Sequence, residues 1–143
     1  MPQTPVVVFD TSVVLSGLAS KSGASHQALT LAKKHTIKGI VSMTIMKEAL
    51  KHSEKLHLTP ENVAKNAKTL FTILPAPSME ATQEYASVLS DPDDLHLLAT
   101  AKQAGAHYLV TLDRRHLLKQ APSIPVVAVV SPRKLIAILL KHR

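Results

Sequence analysis

The chain has 143 residues, enough for one domain with a proper hydrophobic core and no need of covalent staples. It contains no cysteine, which excludes disulfides, thiolate metal sites and a cysteine nucleophile, and fits a reducing, cytoplasmic setting. A formal net charge of +7 points to a polyanionic partner, whereas two Phe, two Tyr and no Trp leave few platforms on which bases could stack. No apolar run approaches membrane-spanning length, and the amino terminus lacks the layout of a signal peptide, so no membrane association is expected.

In chain order, Val6 to Phe9 follow Pro5 and end on Asp10, Thr11 and Ser12. Such a run predicts a strand buried on both faces, as in a parallel sheet. At its carboxyl end Asp10 stands where ligands bind in open α/β sheets, although Asp10 or Thr11 could equally cap a following helix. Val13 to Leu18 continues from this strand. The polar patch Ser20-Lys21-Ser22-Gly23 then leads to a helix from about Ser25 to Lys34. Ile37 to Val41 predicts a second strand, with Ser42 as cap of a helix running to about Lys55. Thr59-Pro60-Glu61 opens another helix, reaching about Phe71, and Thr72-Ile73-Leu74 reads as a short strand.

A helix is expected from Ser78 to about Leu89, and Asp91-Pro92-Asp93-Asp94 opens the next, which ends at Gly105. His107 to Asp113 repeats the pattern of an apolar run ending on Asp. One or two helical turns follow from Arg114 to Lys119. Val126 to Val130 is the last strand, and Ser131-Pro132 starts a terminal helix with an apolar stripe of Leu135, Ile136, Leu139 and Leu140. Strands alternating with helices indicate an α/β sandwich with a mainly parallel sheet and right-handed crossovers.

Asp94, Leu97, Leu98 and Ala101 fall on one helical face, so Asp94 heads the stripe that meets the sheet. A carboxylate directed inward is costly unless it is paired or holds a metal, which favours a functional role for Asp94. Asp91 and Asp93 are accounted for by capping and by the positive end of the helix dipole, with contact to a metal through water as the other reading. Glu48 lies mid-helix, where a Glu is ordinarily solvated, and pattern alone does not select it. Asp10, Asp94 and Asp113 project to one sheet edge with no basic residue fixed among them. Hard divalent cations with oxygen ligands resolve such a gathering of like charges, and Mg²⁺ fits best.

Phe9-Asp10-Thr11-Ser12, Ser42 followed by Glu48, Asp91-Pro92-Asp93-Asp94 with Leu97, Leu98, Ala99 and Ala101, and Leu109-Val110-Thr111-Leu112-Asp113 together resemble the PIN-domain nucleases. Within that family the nearest likeness is to the VapC-type toxin ribonucleases of prokaryotic toxin–antitoxin pairs. The resemblance implies a Rossmann-like three-layer α/β/α sandwich, one PIN-like domain over residues 1–143. It implies Asp10, Glu48, Asp94 and Asp113 as catalytic acids. One or two Mg²⁺ or Mn²⁺ ions would be held by Asp10, Asp94 and Asp113, with Glu48 direct or through water. Thr11, Ser12, Asp91 and Thr111 would be supporting residues. Arg114 and Arg115 are candidates for holding RNA phosphates, and serve equally well as plain solubilising charges. The partners implied are RNA, a cognate antitoxin protein and a second copy of the chain. Such proteins commonly carry Asn where Ser12 stands; Ser keeps a hydrogen-bonding oxygen on a shorter side chain.

Other classes fit less well. An aspartyl-nucleophile phosphatase wants a second Asp two residues after the first, where this chain has Ser12. A receiver domain would carry acids earlier and a Lys on a late strand. An inactive PIN-like module that binds RNA or a partner is the non-enzyme alternative, and the presence of all four acids speaks against it. The eight histidines show no zinc spacing, with His52 and His57 five apart and His26 and His35 nine, and read as scattered surface residues.

Overall fold

Five short apolar segments lie side by side, all parallel, in the order β3-β2-β1-β4-β5: β1 is Val6–Phe9, β2 Lys38–Ser42, β3 Thr72–Leu74, β4 Tyr108–Val110 and β5 Ala128–Val130. The computed structural model describes residues 3–141, so the outer ends of the expected 1–143 domain lie outside the described residues. The helices are α1 Thr11–Ala19, α2 Ala24–Lys33, α3 Met43–His52, α4 Pro60–Leu70, α5 Met79–Gln83, α6 Leu95–Ala104, α7 Leu117–Gln120 and α8 Pro132–Lys141, with 3₁₀ turns at Ser53–Leu56, Pro92–Asp94 and Ala121–Ser123. They cover both faces of the sheet and make the expected three-layer α/β/α sandwich. No helix among the described residues is long and apolar enough to cross a membrane.

The centre of the sheet is the centre of the core. Val7, Val8 and Phe9 of β1 are fully buried between β2 and β4, and the Phe9 ring packs on Phe71 with centroids 5.0 Å apart. From β1 the chain steps to β2 and β3 on one side, then returns to β4 and β5 on the other. The reversal makes the carboxyl ends of β1 and β4 a topological switch point, where open α/β sheets leave a crevice. Helix ends obey the sequence signals: Ser42 Oγ accepts from Ile45 N at 3.2 Å, Thr59 Oγ1 from Asn62 N at 3.1 Å, and Gly105 closes α6 with φ 63°.

Three expectations need correction. Val13 to Leu18 does not continue the strand but forms most of α1, whose start is anchored by Asp10: its carbonyl accepts from Val13 N and Val14 N, and its side chain from Thr11 N. Burial of Val13, Val14 and Leu15 against the interior overrides the weak helix preference of β-branched residues. The helix after Ser78 ends at Gln83, because Tyr85, Ala86 and Val88 donate to carbonyls three residues back, winding 84–88 into turns that bury Tyr85 and Leu89. On α8, Leu135 is buried and Leu139 packs on the core, but Leu140 is 57% exposed and leaves the stripe.

Candidate active site

Asp10 follows β1 directly and is the N-cap of α1, so the strand fixes its position and the helix its direction. Its Oδ1 accepts from Thr11 N at 2.8 Å. Its Oδ2 accepts from Thr111 Oγ1 at 2.7 Å and from Ser12 Oγ at 3.4 Å. Thr111, fully buried at the end of β4, also accepts from Asp113 N at 3.1 Å, while Ser12 Oγ accepts from Leu112 N at 3.2 Å. Two hydroxyls thus bolt the β1 end to the β4 end, and Ser12 does so despite its short side chain. Burial pushes the Asp10 carboxyl above its ordinary range, the Thr111 hydroxyl and the Thr11 amide pull it back, and the Glu48 charge raises it again.

Asp94 heads α6 but does not cap it: its side chain makes no cap hydrogen bond. Asp91 is the capping residue, accepting from Asp93 N at 2.9 Å. Asp94 is held up to about 6, first by burial and then by the charges of Asp91, Asp10 and Asp113. Asp91, Asp10 and Asp113 thus lie near enough to Asp94 for their charges to act on it. Asp93 is exposed.

Glu48 reaches the same region from α3. Its Oε1 lies 3.0 Å from His96 Nε2, with the imidazole 13% and the glutamate 42% exposed. That contact misses hydrogen-bond geometry and leaves Glu48 Oε1 a buried atom without a hydrogen-bond partner among the described residues; His96 Nδ1, on the other side of the ring, is a second. Asp113 Oδ1 accepts from His116 N at 3.1 Å and lies 3.4 Å from His116 Nδ1. Arg114 and Arg115 are exposed, and no Lys or Arg ion-pairs with any of the four acids among the described residues.

The histidines are therefore not simply scattered over the surface. His96 and His116 sit against two of the acids, His26 Nδ1 contacts Gly17 O at 3.0 Å, and His107 Nδ1 accepts from Val6 N at 3.0 Å. Sequence spacing does not point to His96, because its partner is on another helix and nothing in the pattern of α6 joins it to α3.

Among the described residues, no three His, Asp or Glu side chains stand as a ready metal cage. The donor set nonetheless fits a hard cation. It offers carboxylate oxygens from four segments, no neutralising ion pair with Lys or Arg, and in Glu48 Oε1 a buried oxygen without a donor. A cation that keeps several waters needs fewer protein ligands than a closed cage supplies.

The sequence model of the PIN domain family matches residues 6–115, a range that includes Asp10, Glu48, Asp94 and Asp113. No curated protein matches in sequence. Among solved structures, the chain is similar to VapBC2 from Rickettsia felis bound to a DNA fragment from their promoter, with 15% identity, a TM-score of 0.61, and coverage of 88% of this chain and 98% of that one. It is also similar to PAE2754 from Pyrobaculum aerophilum, with 16% identity, a TM-score of 0.65 and 96% of each chain covered. At such identities the likeness is one of fold.

Proposed function

The chain belongs to the PIN domain family, and from that premise we propose that it is a divalent-metal-dependent endoribonuclease, a single cytoplasmic domain acting as the toxin of a toxin–antitoxin pair. The observation that supports this reading is that Thr111 ties Asp10 at the end of β1 to the end of β4 next to Asp113, that the charges of Asp10 and Asp113 both act on Asp94, and that no Lys or Arg ion-pairs with these acids among the described residues. Asp10, Asp94 and Asp113 would hold Mg²⁺ or Mn²⁺, with Glu48 joining directly or through water. A cation bound there supplies an acidified water and neutralises charge on the phosphate and the leaving oxygen.

The protein's own groups do the rest. Thr111 and Ser12 fix the Asp10 carboxylate, so it is preorganised without rearrangement. With its carboxyl at about 6, Asp94 is mostly ionised at neutral pH and free to act as a ligand. His96, whose Nε2 lies 3.0 Å from Glu48 Oε1, would hold the Glu48 carboxylate in position beside the other acids. Arg114 and Arg115 hold phosphates flanking the cleaved bond. The net charge of +7 supports a nucleic-acid substrate.

The partners in this reading are RNA, an antitoxin protein and a second copy of the chain. The VapBC2 assembly supports the antitoxin by analogy of fold. The test is cleavage of RNA by purified protein in Mg²⁺ or Mn²⁺, with the products sequenced and Asp10→Asn as control. Cleavage confined to the wild type with metal is expected; undiminished cleavage in excess chelator would overturn the reading. Metal-dependent RNA binding without cleavage would instead favour the inactive module.

A further inference from the structure

Beside the acids lies a cavity of about 340 Å³ whose lining contains no Asp or Glu. Three separate segments build it: the turn between α1 and α2, the stretch after β4, and the start of α8. Leu112 and Arg114, both in its wall, flank Asp113, so the cavity opens one residue from the acid cluster.

Its wall carries both backbone amides and two arginines. The first helical bond of the ten-residue α2 runs from Gln27 N to Gly23 O, and Gly23 offers no side-chain cap, so the amides of Ala24, Ser25 and His26 precede the helical ladder. Ser25 lines the cavity at 8% exposure, and its hydroxyl has no hydrogen-bond partner among the described residues. Gly23 has φ 105°, and a Cβ there would meet nothing within 4 Å, so the turn leaves the mouth open. Arg114 and Arg133 add two guanidinium groups, neither ion-paired with a carboxylate among the described residues. Leu118 and Pro132 give an apolar wall.

The accessible hydroxyl of the largely buried Ser25, a helix amino terminus and two arginines with no ion pair among the described residues select a compact anion with several acceptor oxygens. The volume is at the small end of ligand cavities, enough for a phosphate with part of its sugar. We propose that this cavity binds a phosphate group of the RNA strand, on a nucleotide neighbouring the cleaved bond. The assignment to RNA rests on the ribonuclease reading above; the phosphate chemistry does not.

The experiment follows backbone amide shifts in excess chelator, so that no metal contributes. Inorganic phosphate and adenosine 5′-monophosphate should shift the Ala24 and Ser25 amides saturably, and adenosine should not. Arg133→Gln, at an exposed position outside the acid cluster, should weaken the nucleotide roughly tenfold, as for loss of one charge-assisted hydrogen bond, and Ser25→Ala somewhat less. A short 2′-O-methyl RNA should lose a similar factor in Arg133→Gln. Absence of any phosphate-dependent shift at Ala24 and Ser25 would overturn the site. Weakened nucleotide binding with unchanged RNA binding would overturn the assignment to the strand and leave free phosphate as the ligand. A wild type that shows both binding effects yet cleaves no RNA with metal would overturn the ribonuclease reading and the place beside a cleaved bond, and would uphold the cavity as a site for a phosphate of bound RNA.

Discussion

Replacing Asp94 by Asn separates a metal-site role from a helix-dipole role without measuring activity. Holding the carboxyl at about 6 in the folded protein against 3.8 corresponds to at most about 3 kcal/mol of stability lost at neutral pH. Because the side chain is only partly buried, solvent screening brings this to about 1 to 1.5 kcal/mol. The folded state binds the proton more tightly than the unfolded chain. The penalty is therefore absent below about pH 4, grows as pH rises towards 6 and stays constant above. Asp94→Asn should raise the metal-free melting temperature at pH 7 by about 3 to 5 °C and change it little at pH 4. A dipole role predicts the opposite sign, a loss of about 0.3 to 1 kcal/mol. Mn²⁺ completes the test, since an ion bound only by the folded state raises its melting temperature with occupancy. Thermal melts in chelator and in millimolar Mn²⁺ should show a stabilised variant with a small metal-induced shift. A destabilised variant that keeps the full shift would return Asp94 to a helix-dipole role.

Asp10→Asn, Asp94→Asn and Asp113→Asn should each abolish RNA cleavage, because an amide is a poor ligand for a hard cation, and gel assays with and without chelator check this. Asp91→Asn keeps the cap, since Asn caps as well as Asp, and removes a charge that raises Asp94, so in chelator at pH 7 it should melt slightly above the wild type but by less than Asp94→Asn. Thr111→Val removes the hydroxyl that lowers the Asp10 carboxyl, so the Asp10 pKa should rise further, read by carboxyl NMR titration, at a stability cost of about 1 to 2 kcal/mol. Replacing Arg114 and Arg115 together with Ala should weaken binding of all RNA sequences alike and flatten the salt slope by roughly one unit for each phosphate left without its arginine; an unchanged slope would make them plain surface charges.

Much of the fold was legible because its signals are local. The runs that end on Asp10 and Asp113 are short, apolar and bounded, which is how a doubly buried parallel strand reads. Ser42, Thr59, Asp91 and Gly105 mark helix ends by chemistry that acts within a turn. What stayed hidden depends on interactions between distant segments. In α1, Val13-Val14-Leu15 are buried all together and only Thr11, Ser12 and Ser16 are polar, so the helical period is faint. The pairing of Glu48 with His96 joins two helices. Ser12 reaches Leu112 across the β1–β4 boundary, a distance of a hundred residues in sequence. The acids themselves were nameable as carboxylates after strands and at a helix start, whereas Glu48 rested on family resemblance alone.

The proposed function requires Asp10, Asp94 and Asp113 to form one cation site at the ends of β1 and β4. Paramagnetic broadening of backbone amides by substoichiometric Mn²⁺ tests it most directly. Broadening is expected to centre on Thr11, Leu95 and Leu112, to spare Lys38 at the opposite end of the sheet, and to be lost in Asp10→Asn. Broadening centred elsewhere, or unchanged in Asp10→Asn, would contradict it.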